Sequence, residues 1–175
     1  MRNLKLTIRY DGTEFFGWQT QPGKRTVQET VERAVAQITR EERPRLNCSG
    51  RTDSGVHAVG QVANVYTASK LPCEVLLKAI NAKLPADVGV REVVEVPQSF
   101  CANKDAVRKM YRYVVQDGRL QDPFMRKYVW FVRQAIDPEA MRRAGACLVG
   151  RHDFRCFETE WPNRLTSVRT ITHLG

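Results

Sequence analysis

No stretch of this 175-residue sequence approaches the ~18 consecutive apolar residues that a membrane span requires. The longest candidate, Tyr128 to Val132, is closed off by Lys127 and Arg133. Arg2, Lys5 and Arg9 break up the start of the chain, so it reads as neither a signal peptide nor a transit peptide. Cys-x-x-Cys spacing is missing, and the cysteines (Cys48, Cys73, Cys101, Cys147, Cys156) are odd in number. That excludes a disulfide scaffold and leads us to expect reduced, mostly buried thiols in a cytoplasmic protein. Histidine is limited to His57, His152 and His173, without ligand spacing, so no metal is expected. Also absent are a Gly-x-Ser-x-Gly elbow, a glycine-rich nucleotide turn between strand and helix, short repeats and low-complexity linkers. Acidic residues are scarce: 19 Asp and Glu against 28 Lys and Arg, for a net charge of +9. Such a surplus points to a polyanionic partner, nucleic acid being the usual one, although solubility alone is the other reading.

What is present is ordinary globular material, 42% hydrophobic and long enough to bury a core without covalent staples. Leu4, Leu6 and Ile8 alternate with Lys5, Thr7 and Arg9, which predicts a half-buried strand over 3–10. Thr26-Val27-Gln28-Glu29 reads as a capping box opening a helix that runs to about Glu42. Strands are expected over 45–48, 61–66, 88–96, 110–116, 128–133 and 167–174, and a helix over 73–83. Asp137-Pro138 starts another helix, with Gly150 suited to cap its end and Gly145 allowing close packing. The order predicts an α+β fold: a ferredoxin-like β-α-β-β-α-β half, then an incomplete second α+β half. The sheet should be mostly antiparallel, with helices on one face. We place the N-terminal half at 1–102 and the partial second half at 103–175.

One loop stands out chemically, Gly50-Arg51-Thr52-Asp53-Ser54-Gly55-Val56-His57. Its glycines let the backbone bend sharply and present Asp53 outward. Arg51 beside it favours the charged carboxylate or holds a phosphate, and an ionised carboxylate can act as nucleophile or base. The competing reading is an Asx turn, with Asp53 bonded to its own backbone. Ser54 and His57 invite a hydrolase reading that lacks the remaining triad spacing. His152-Asp153 resembles a phosphohydrolase pair, but a loop that caps and packs explains it as well. From Lys104 to Arg133, eight basic residues outnumber three acidic ones and interleave with Tyr111, Tyr113, Phe124, Tyr128, Trp130 and Phe131. That mixture suits phosphate contacts with base stacking, and equally suits strand core beneath a solvated face. Tyr111 and Tyr113, two apart, would share one strand face.

These residues resemble the tRNA pseudouridine synthase A family. The matching strings are Tyr10-Asp11-Gly12-Thr13-Glu14-Phe15-Phe16-Gly17-Trp18-Gln19, Thr26-Val27-Gln28-Glu29 and the Asp53 loop. To these are added Asn81-Ala82-Lys83-Leu84-Pro85, Tyr111-Arg112-Tyr113, and Cys147-Leu148-Val149-Gly150 with Asp153-Phe154. They occur in the family's order and span nearly the whole chain. The resemblance implies isomerisation of uridine to pseudouridine in the tRNA anticodon stem-loop, with no cofactor and no metal, by a homodimer. It implies Asp53 as the catalytic aspartate and Arg51 as the arginine that helps flip the nucleotide. Tyr111 would stack on the flipped uracil, and Arg112 and Lys104 would contact RNA.

Two departures from the family pattern bear on this. Where the family has Phe-His-Ala-Arg-Phe-Ser-Ala, this chain has Phe100-Cys101-Ala102-Asn103-Lys104-Asp105-Ala106. Asn103 thus stands in place of an arginine and Cys101 in place of a histidine; a bidentate contact is lost, and Lys104 replaces part of the charge only. Family members also continue past a strand such as 167–174, supplying further core and an arginine that pairs with the catalytic aspartate. We therefore expect either a fragment or a truncated, catalytically inactive RNA-binding relative.

Overall fold

Leu4, Leu6, Ile8 and Tyr10 are all buried on one face of β1 (Arg2–Tyr10), as their alternation predicts, and β1 is the centre of the molecule's main sheet. The structure is a computed structural model that describes residues 1–158 and 166–175. The chain divides into two compact units, Met1–Tyr111 and Arg112–Gly175.

In the first unit β1 is followed by α1 (Val27–Thr39), β2 (Leu46–Cys48), β3 (Ala58–Thr67), α2 (Cys73–Asn81) and β4 (Val88–Val96). The sheet order is β2-β3-β1-β4, every pair antiparallel. This is the ferredoxin-like arrangement expected from the element order. Val27, Val31, Ala34 and Val35 line the buried face of α1, and Leu76 and Ile80 that of α2. They pack with Leu6, Ile8, Val65, Val90 and Val93 of the sheet into one core. Each such side chain contributes about 1.5–3 kcal/mol on burial, set against the entropy of ordering the chain. Register shifts interrupt both ladders of β1 near its end, between Ile8 and Tyr10 against β3 and between Thr7 and Ile8 against β4. Bulges of this kind bend and twist a strand, here just before it enters the loop 11–18.

Some local expectations are corrected. The capping box does not form: Thr26 sits at the N-cap in extended backbone, but its hydroxyl caps nothing and is buried without a partner. The N–H groups of Val27 and Gln28 donate instead to the carbonyls of Gly17 and Trp18, at 3.2 and 2.9 Å. The preceding loop thus does the work of the cap. The helix ends at Thr39 because Arg40 is left-handed, at φ 60°. Cysteines are less buried than expected: Cys48, Cys73 and Cys101 are half-buried and Cys147 and Cys156 exposed.

The second unit holds β5 (Val115–Asp117) parallel to β6 (Trp130–Val132), α3 (Pro138–Ala146) and β7 (Gly150–Asp153) antiparallel to β8 (Val168–Ile171). A 3₁₀ turn spans Arg155–Phe157. Asp137 caps α3 as predicted, accepting from the N–H groups of Glu139 and Ala140 at 2.9 and 3.1 Å. Gly145 is the one buried residue described in this unit, with the Leu174 side chain against it where a Cβ would stand. Cys147, not Gly150, closes α3, and Gly150 opens β7 at φ +114°. His152 and Asp153 therefore lie on a strand rather than in a loop, opposite Arg169 and Val168. The strand expected over 110–116 shrinks to β5. Among the described residues, no backbone group of 106–113 finds a ladder partner, and a strand without a neighbour stays solvated.

Candidate active site

The Asp53 loop connects β2 to β3, and the loop 11–18 leaves the end of β1, the strand next to β3. The two are fastened together mainly through their backbones. Trp18 N–H donates to the Thr52 carbonyl at 2.9 Å, and Gly55 N–H and the Ser54 hydroxyl both donate to the Phe15 carbonyl at 3.2 Å. Gly12 N–H donates to His57 Nδ1 at 3.1 Å. Tyr10 and Thr52 share a hydroxyl–hydroxyl hydrogen bond of 2.8 Å. Two glycines make the contact possible. A Cβ on Gly12 would overlap the Val56 carbonyl, and one on Gly17 (φ +82°) would stand 2.7 Å from the Thr52 carbonyl oxygen. Behind the loop 11–18, the Arg25 guanidinium lies 4.0 Å over the buried Phe15 ring and pairs with both Asp87 oxygens, at 2.8 and 2.9 Å.

Asp53 sits at the exposed turn of this fixed loop. Its backbone carbonyl accepts from Val56 N–H at 3.2 Å, closing the turn that Gly55 permits at φ +78°. Its carboxylate makes no hydrogen bond and no ion pair with any described residue. The Asx turn weighed for Asp53 is absent; one forms instead at Asp11, whose carboxylate accepts from Thr13 N–H at 3.0 Å. Arg51, exposed two residues away, does not pair with Asp53. In a straight strand side chains two apart would share one side; here the chain turns over 53–56, and no contact between the two forms. Ser54 donates to Phe15, and His57 Nδ1 lies against Gly12 and 3.1 Å from Asp11 Oδ1. Both side chains serve the fastening, which leaves the hydrolase reading without a paired nucleophile and base.

The base of the loop is packed and polar. Ser49 N–H continues the ladder to the Val62 carbonyl at 2.8 Å, and the Gln61 side-chain amide donates to the Gly50 carbonyl. Lys109 Nζ lies against Gly50, and the Asn103 amide reaches the Cys48 carbonyl at 3.5 Å. Burial pushes the Cys48 thiol above its ordinary pKa, while the Gly50 N–H and the charges of Arg51 and Lys109 pull it back. Burial likewise pushes the Tyr10 phenol up to about 12, against the opposing hydrogen bond from Thr52.

Of the other residues singled out in the sequence, Lys104 is exposed on the turn closed by Asp105, which accepts from Cys101 N–H at 2.8 Å. Tyr111 ends the first unit 74% exposed, outside any strand and without a ring partner among the described residues. Arg112 is exposed at the start of the second unit. Sequence reasoning overlooked the Tyr10–Thr52 bond, Gln61 and Lys109. The available signal was the pair of glycines at 12 and 17, placed as a backbone needing close approach would place them.

Fold and loop together define an α+β protein with a ferredoxin-like half that holds one bare carboxylate on a rigidly seated β2–β3 connection. The sequence profile of the family described as tRNA pseudouridine synthase matches residues 6–104. Proteins called tRNA pseudouridine synthase A align with almost the whole chain. That of Caldicellulosiruptor bescii is 40% identical over 171 residues, covering 98% of this chain and 70% of the relative. The Citrifermentans bemidjiense protein is 45% identical over 171 residues, covering 98% and 68%. The Acetivibrio thermocellus protein is 42% identical over 175 residues, covering 100% and 71%. The chain belongs to the tRNA pseudouridine synthase family.

Proposed function

We propose that this chain isomerises uridine to pseudouridine in the anticodon stem-loop of tRNA, with Asp53 as the catalytic residue. The observation that carries the reading is the Asp53 carboxylate: exposed, unpartnered among the described residues and held up by a loop fixed through the backbone of Thr52 and Gly55 and the hydroxyl of Ser54. In the reaction the C1′–N1 bond breaks, the uracil turns, and C5 bonds to C1′. C5 gives up its proton and N1 gains one. Every heavy atom of the uridine is kept and no electrons leave, so the balance needs no external oxidant, reductant or co-substrate. Asp53 supports this as a nucleophile or as the base that takes the C5 proton.

A uridine in a stem must leave its stack first, at a cost of a few kcal/mol. Arg51, exposed beside Asp53, is the residue we assign to nucleotide flipping, and Tyr111 the one we assign to stacking on the uracil. Lys104 and Arg112 are assigned to the RNA backbone, within a chain of net charge +9. In this reading residues 1–102 form the half that bears the catalytic loop and residues 103–175 part of a second half, in a cytoplasmic homodimer. Asp53→Ala should leave tRNA binding within about twofold, since a carboxylate adds nothing to phosphate attraction. It should abolish pseudouridine formation, scored by carbodiimide adducts that stop primer extension. Loss of binding together with turnover would contradict the assignment.

A second reading is an inactive RNA-binding relative. One observation favours it, that the second unit buries no apolar side chain among the described residues; the resemblance adds that an arginine is expected where Asn103 stands. It predicts salt-sensitive tRNA binding with no pseudouridine formed.

A further inference from the structure

The helices cover one face of the main sheet. The other face carries two fully buried asparagines, Asn3 on β1 and Asn64 on β3. In the β1–β3 register Asn3 stands opposite Tyr66 and Lys5 opposite Asn64, so Asn3, Asn64 and Tyr66 share this face. Apolar side chains would fill the space at less cost, because a buried amide is tolerated only when bonded. Here the bonding runs in one direction. Asn64 Nδ2 donates to Asn3 Oδ1 at 3.0 Å, and Asn3 Nδ2 donates to the carbonyls of Pro97 and Phe100 at 3.0 and 2.8 Å. Asn64 Oδ1 accepts from Ala102 N–H at 3.0 Å. The Tyr66 hydroxyl adds a bond to the Gln98 carbonyl at 3.0 Å.

The backbone of 97–102 is thus read by side chains of the sheet, amide by carbonyl, without forming a strand of its own. Where it leaves Ala102, the next side chain is Asn103, which reaches the Cys48 carbonyl two residues before Gly50. Lys104 follows. We propose that Asn3 and Asn64 are positioning residues: they lock the segment 97–102 onto the open sheet face and so fix Asn103 and Lys104 at the base of the Asp53 loop. The proposal rests on the reading of Lys104 as an RNA contact.

The test uses the full chain. Asn64→Leu keeps the volume and leaves Ala102 N–H and Asn3 Oδ1 without partners. Amide exchange followed by mass spectrometry should rise at least tenfold across 97–104 while residues 4–8 of β1 stay protected, the mark of a local release. If Asn64→Leu does not fold, Asn64→Ser, too short to reach the Ala102 amide, supplies the same comparison. Binding to a tRNA transcript separates positioning from plain stability. Lys104→Ala should weaken it about fivefold, the loss of one phosphate contact. Asn64→Leu should weaken it by a similar factor, and the double variant by that same factor rather than the product. Unchanged exchange in a folded variant, or losses that multiply, would overturn the proposal. If the parent chain fails to bind tRNA, the functional reading falls and the positioning role with it, and faster exchange then marks the pair as structural only.

Discussion

A methyl group on Gly12 would have to occupy the place of the Val56 carbonyl, and one on Gly17 would crowd Thr52 from a left-handed backbone. Gly12→Ala and Gly17→Ala should therefore each cost about 1–3 kcal/mol, read as a lowered urea midpoint, and should loosen the Asp53 loop in the molecules that remain folded. An alanine tolerated at either position without loss would show that the two loops are not seated as described. Tyr10 makes a separate prediction. Its folded-state pKa of about 12 exceeds the ordinary 10, so the folded chain keeps a proton that the unfolded chain gives up. Stability from this group is complete below pH 10 and is lost as pH rises toward 12. By pH 11 about 1.4 kcal/mol should have gone. Urea titrations at pH 9 and 11 should show that loss in the parent and less of it in Tyr10→Phe. The turn that presents Asp53 was legible in the sequence from the glycines that flank it, whereas the absence of the competing Asx turn was not. The missing pair between Arg51 and Asp53 was not legible either, since a spacing of two gives a shared side only where the backbone runs straight, and here it turns over 53–56.

Among the elements, those of the first unit follow from local pattern because pattern and packing agree there. The alternation in β1 and the i, i+4 spacing of Leu76 and Ile80 in α2 each place apolar groups on one side, and a facing element buries them. Thr26 shows where the logic stops. A good capping sequence was present, yet the first N–H groups of α1, those of Val27 and Gln28, are taken by the carbonyls of Gly17 and Trp18, a tertiary contact that no window around α1 contains. Residues 110–113, the start of the strand expected over 110–116, show the complementary failure: high strand propensity leaves them outside any strand because propensity supplies no ladder partner. Elements of the second unit are short and, Gly145 apart, unburied among the described residues. Amide exchange should accordingly be orders of magnitude faster in β5, β6 and α3 than in β1 and β3. Equal protection in both units would contradict this picture of the second unit.

For the molecule as a whole, the charge balance pointed at once to a polyanionic partner, and family membership through residues 6–104 and near-complete alignment with the relatives agrees with that direction. The ferredoxin-like half was legible because its six elements occur in order. Of the second unit only the α+β element types were legible, not how exposed the described elements are. Its exposed Tyr113, Phe124, Trp130 and Phe157, 68–87% accessible, show how little of its aromatic surface these described elements cover. The function of the molecule turns on whether the seated, unpartnered Asp53 carboxylate performs the isomerisation. The most direct measurement is tritium release from tRNA transcripts labelled at uracil C5, by the 175-residue chain beside its Asp53→Asn variant. Formation of the C5–C1′ bond expels that hydrogen, so release counts turnovers. We expect release by the parent and none by the variant, while both bind the transcript. Equal release from both, or none from a folded, tRNA-binding parent, would contradict the central claim.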